Sequence, residues 1–161
     1  MRIFGILLTV VAAFLNFEGE ECAQSQTPVE ALIYKYDQLK GVKSLIAKGP
    51  SMTFARGLIR KTSAAPVADY VDELTVLKLA KASQTVRDGF ISALKNSLKS
   101  YDYVGKAPGP NGIVDVYVTR PVGDYVHELV VYNPSTVSIF SLKGDMPVTT
   151  LDSMRSQVLP E

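Results

Sequence analysis

Apolar positions recur along this chain with two different periods, and the switches between them lay out the fold. From Thr27 the stretch TPVEALIYKYDQLKG places Val29, Leu32, Ile33, Tyr36 and Leu39 three and four apart, the spacing of a single helical stripe. Thr27 can cap this helix, Pro28 suits its first position, Glu30 completes a capping box, and Gly41 suits the stop. VKSLIAK (Val42 to Lys48) then predicts a short strand that ends at Gly49-Pro50. SMTFARGLIRK, from Ser51, returns to helical spacing with Phe54, Ala55, Leu58 and Ile59 on a shared face. After the loop TSAAPVADY, DELTVLKLA (Asp72 to Ala80) has the continuous apolar middle of a strand flanked on both sides. Ser83 can cap a helix to about Ser100, with Val86, Phe90, Ile91, Leu94 and Leu98 inward.

The second half changes period. GKAPGPNG (Gly105 to Gly112) reads as a proline- and glycine-rich loop. IVDVYVTR, YVHELVVY and TVSIFSLK follow at close spacing, with Val114, Val116 and Val118 on one face of the first. Gly123-Asp124 and Asn133-Pro134-Ser135 supply the turns of an antiparallel meander. A last helix is expected from about Thr149 to Leu159, with Leu151, Met154 and Val158 inward. The predicted order is α-β-α-β-α-β-β-β-α. It implies an α+β fold: a mostly antiparallel sheet of about five strands with helices packed on one or both faces. Three hairpin-linked strands in succession argue against a doubly wound parallel sheet.

The amino terminus fits neither period. Met-Arg is followed by IFGILLTVVAAFLNF, an uncharged apolar run with no polar face, cut off by Glu18, Glu20 and Glu21. This is the layout of an export signal, and the run is shorter than the roughly 20 residues a membrane-spanning helix needs. The expected division is residues 1–23 as signal peptide and 24–161 as a single α+β domain, placed in the periplasm or outside the cell. Cys22, the only cysteine, is the alternative anchor point for a lipid. Glu21 directly before it and Gly19 three before it do not fit a lipoprotein signal, so cleavage near Ala23 or Gln24 is the expectation. The mature chain then has no disulfide. Its net charge rises from +1 to +3, because one arginine and three glutamates leave with the signal. That mild, scattered charge gives no warrant for a nucleic-acid partner.

Tyr36, Gly41 and Val42 at a helix end, the strand Asp72 to Leu79, and the closing IFSLKGDMPVTTLDSM form a pattern that resembles small exported Bacteroidetes proteins classed as domains of unknown function. The resemblance covers most of the mature chain. It implies an α+β domain in the envelope or outside the cell, and it brings no catalytic motif.

Candidate chemistry is sparse. His127 is the only histidine; it neighbours Glu128, but adjacent strand residues point to opposite faces, so an acid such as Asp115 from the preceding strand would have to serve it. A small hydrolase using His127 with Asp115 or Glu128 is thus one reading. Metal sites of the usual kind need several His or Cys ligands, and no cofactor fingerprint stands in the chain, so neither metal nor cofactor is expected. Asp69, Asp72 and Glu73 come nearest to a carboxylate group, and they suit the start of a strand equally well.

Arg56 and Arg60 lie four apart on one helix face, next to Lys61, and call for an acidic neighbour, an anionic ligand or a membrane surface. Tyr101, Tyr103, Tyr117, Tyr125 and Tyr132 either line a recognition face or sit half-buried as strand formers. The leading expectation is a non-enzymatic domain that binds another envelope protein or an anionic surface component, with Arg56, Arg60 and Lys61 or the sheet's face as the contact. A regulatory partner in an envelope signalling operon is a further alternative.

Overall fold

A computed structural model describes residues 26–109 and 111–156. The proposed signal, Cys22 and the end of the last predicted helix lie outside the described residues.

The first helix, α1 (Pro28–Tyr36), starts as its sequence requires, with the Thr27 hydroxyl accepting from the Glu30 amide at 3.2 Å. It buries Val29, Leu32, Ile33 and Tyr36, but it ends before Leu39, which is exposed. Gly41 follows with φ +83°, and a Cβ there would fall 2.3 Å from the Lys81 carbonyl oxygen. Only glycine fits that turn without strain.

Next come β1 (Lys43–Lys48), α2 (Met52–Ile59), a 3-10 turn at Ala65–Tyr70, β2 (Val71–Lys78) and α3 (Gln84–Ser97). The Ser83 side chain caps α3 by accepting from the Val86 amide. The chain then runs through β3 (Tyr101–Gly109), β4 (Gly112–Thr119), β5 (Tyr125–Asn133), β6 (Ser138–Pro147) and α4 (Val148–Arg155).

All six strands form one antiparallel sheet in the order β1-β2-β6-β5-β4-β3. The α+β class and the antiparallel sheet agree with the sequence reading. The strand count is six rather than about five, because Tyr101–Gly109 pairs with β4 instead of forming a loop. Pro108 has no amide to donate, and β3 is an edge strand, the one sheet position where that costs little.

Helices cover both faces. On the back face, α1 and α3 enclose Phe90, Leu94, Leu77, Val130 and Ile139, and Tyr36 meets Phe90 edge-on with ring centroids 5.3 Å apart. On the front face, α2, α4 and the Ala65–Tyr70 turn cover Leu74, Leu129, Leu142, Val116 and Val118. The inward stripe of α2 is Met52, Ala55 and Ile59, whereas Phe54 and Leu58 are 74% and 47% exposed. The expected pairing of Phe54 and Leu58 with Ala55 and Ile59 is corrected here: positions 54 and 58 lie about 100° round the helix from the buried stripe.

The Ala65–Tyr70 turn lies directly on β6. A Cβ on Gly144 would sit 1.9 Å from the Tyr70 carbonyl oxygen, so this approach depends on the missing side chain.

Candidate functional site

The front helices are short beside the sheet they pack on. A six-stranded sheet is about 24 Å across. The two front helices have eight residues each and so run about 12 Å. They cover the row Ala47, Leu74, Leu142 and Leu129, which the strand register places side by side. The next row outward, Leu45, Val76, Phe140 and Val131, borders open space: Leu45 is 60% exposed, Phe140 and Val131 are half-buried, and Val76 is buried. It forms the floor of a groove of about 640 Å³, walled by Leu58 and Ile59 of α2 and by Pro108 and Val114 of the β3–β4 hairpin. A volume of this size is ordinary for a small-molecule site.

The rim is the third row: Lys43 opposite Lys78, Lys78 opposite Ser138, and Ser138 opposite Asn133. Two of these polar groups have structural work. Asn133 Oδ1 accepts from the amides of Ser135 and Thr136, and the Ser138 hydroxyl bonds Thr136 Oγ1 at 2.5 Å. The turn they shape forces Val137 to φ +47°, a conformation that β-branched residues avoid. Its carbonyl accepts from the Leu79 amide at 3.0 Å, which ties the end of β2 to the rim. Lys43 and Lys78 are the charged residues of the lining, and among the described residues no carboxylate or histidine lines the groove.

A second polar feature lies on the back face. Glu128 is fully buried, and its carboxyl accepts from the Tyr101 hydroxyl and the Ser141 hydroxyl, each at 2.5 Å. Burial raises the Tyr101 hydroxyl well above the usual tyrosine range, and the charge and hydrogen bond of Glu128 push it further the same way. Nearby, Lys143 stands opposite Glu128 in the register and its ammonium is 2.6 Å from Glu30 Oε2, an ion pair without hydrogen-bond alignment. An irregularity between Val126 and Glu128 turns His127 outward, while the Thr119 hydroxyl accepts from both the His127 and Glu128 amides. From sequence Glu128 enters as a neighbour of His127 and a candidate acid for it. Nothing in a lone Glu within YVHELVVY marks it as buried.

The residues singled out by sequence are dispersed. His127 Nδ1 lies 2.8 Å from Asp145 Oδ1, with both side chains largely exposed and away from the groove. Asp115 instead accepts from Lys106 and Tyr103, and the bond raises the Lys106 ammonium above its usual value. His127, Asp115 and Glu128 therefore have three separate sets of partners. Among the described residues, no hydroxyl bonds the His127 ring, and no three His, Cys, Asp or Glu side chains gather into a metal-binding group.

Arg56 reaches Asp72 at 3.6 Å and donates from Nε to the Val71 carbonyl, and Arg60 pairs with Asp69. Their juxtaposed charge is met from within the chain. Lys61 follows them at the exposed end of α2. The tyrosines divide: Tyr101 is buried, Tyr117 and Tyr132 are half-buried, and Tyr103 and Tyr125 are exposed. No described helix is long and apolar enough to cross a membrane. No family model, curated protein or solved structure matches this chain.

Proposed function

We propose that this chain is an exported, non-enzymatic binding domain whose working surface is the front-face groove, and that it holds a molecule with an apolar chain. The observation that carries this reading is the groove beside α2 floored by Leu45, Val76, Phe140 and Val131, an apolar trough of about 640 Å³ in a small domain. Binding rather than turnover is supported by the lining, which among the described residues offers no acid, histidine or cysteine to move a proton or attack a bond. The export reading is supported by the N-terminal segment and by the resemblance to exported proteins of unknown function. An envelope or surface partner remains the setting of this proposal. The contact is moved from Arg56, Arg60 and Lys61 to the groove, because Asp72 and Asp69 already neutralise the two arginines.

The test is a titration of purified protein with the apolar fluorescent dye N-phenylnaphthylamine. Enhancement saturating at one dye per chain is expected. Leu58→Glu, at an exposed wall position, should weaken it roughly tenfold, or about 1.4 kcal/mol, while the circular dichroism stays unchanged. Absence of saturable binding, or equal affinity in the variant, refutes the groove as the working surface.

A further inference from the structure

The rim of the groove carries an imbalance that its floor does not explain. Lys43 and Lys78 are directly opposite one another on neighbouring strands. Each alternates with front-face residues, Leu45 and Ala47 on one strand and Val76 and Leu74 on the other, so both lysines belong to the groove side. Like charges placed across a strand pair repel. Several other cations of the chain sit against carboxylates: Arg56 has Asp72, Arg60 has Asp69, Lys106 has Asp115 and Lys143 has Glu30. Among the described residues, Lys43 and Lys78 have no carboxylate within ion-pair reach, and the groove lining supplies none.

We infer that the ligand is a single-chain amphiphile with an anionic head, of the fatty-carboxylate class. Its head sits between Lys43 and Lys78 and its tail runs across the strands over Val76, Phe140 and Val131. This rests on the groove being the binding surface and adds the identity of its occupant. Shape selects a free chain over an intact bilayer. Leu74, Val76, Val114 and Leu142 line the groove and each is 7% exposed or less, so a flat lipid surface that meets the exposed Leu45 and Leu58 does not reach them, and a chain has to insert to do so. The lysine stems add apolar surface at the entrance while their ammonium groups stay in water beside the head.

Dodecanoate, dodecanol and dodecyltrimethylammonium, all below their micelle-forming concentrations, provide the test by dye displacement at low salt. Wild-type protein should bind dodecanoate roughly five- to tenfold more tightly than dodecanol, the range two solvent-exposed ion pairs can supply, and the ammonium amphiphile most weakly. That preference should shrink as salt is raised. The Lys43→Glu/Lys78→Glu double variant, altered only at exposed positions, should lose or reverse the preference for dodecanoate over dodecanol.

Equal wild-type affinities for dodecanoate and dodecanol would overturn the anionic head and leave the groove standing. So would a carboxylate preference that survives in the double variant. Binding of none of the three would overturn both proposals. Capture of the protein on phosphatidylglycerol vesicles without binding of free dodecanoate would replace the inserted chain with docking on a membrane.

Discussion

The two faces of the sheet are built from the same strands and solve opposite problems. On the back, α1 and the long α3 close over the strands, and even the carboxyl of Glu128 is enclosed with two hydroxyl donors supplied by Tyr101 and Ser141. On the front, two eight-residue helices stop short, and the strand row beyond them forms the floor of a groove rimmed by two lysines. A buried charge is tolerated where its partners are built in, and a pair of exposed like charges stands where they are not. The comparison separates a face whose buried polar groups are satisfied within the chain from a face whose core leaves an apolar groove beside its helices.

Substitutions should divide along the same line. Phe90→Ala on the back face should cost the most, about 3–5 kcal/mol in chemical denaturation, because a fully enclosed aromatic leaves a cavity. Glu128→Ala should cost about 2–4 kcal/mol by stranding two buried hydroxyls, and Glu128→Gln should cost less. A loss under 0.5 kcal/mol for Glu128→Ala would erase the contrast between the faces.

The same cluster sets a pH dependence. The Tyr101 hydroxyl holds its proton more tightly folded than unfolded, so its contribution to stability is complete below about pH 10, the usual tyrosine value, and is lost as pH rises through the raised folded value. Tyr101→Phe should therefore flatten the fall of stability with pH above about 10, measured by urea midpoints along a pH series. On the front rim, Val137→Gly should relieve the left-handed strain and raise stability by up to about 1 kcal/mol. Leu58→Ala in the wall and Leu45→Ala at the exposed end of the floor should change stability by no more than about 0.5 kcal/mol in the same assay while weakening dye binding.

Local signals in the sequence were faithful wherever a side chain meets its own backbone. Thr27 and Ser83 cap the helices they were expected to cap, and the alternation of Val114, Val116 and Val118 places all three in the front core. The strand Tyr101–Gly109 was hidden because its glycines and Pro108 are the marks of a loop, and only its place at the sheet edge makes them harmless. The groove was not legible at all. Leu45, Val76, Phe140 and Val131 come from four strands, and nothing in any one segment says that register will align them or that α2 will be too short to hide them. Glu128 was obscured by the same kind of distance, since its donors come from residues 101 and 141.

The seam between β2 and β6 joins parts of the chain that are far apart, while β3 to β6 pair as immediate neighbours. The groove straddles that seam, with Val76 on one side and Phe140 on the other. An occupant lying across it therefore acts as a clasp between the β1–β2 wing and the locally paired meander. Hydrogen exchange of the β2 amides should slow on loading more than that of β4, which puts the mechanical reach of a small guest well beyond the atoms it touches.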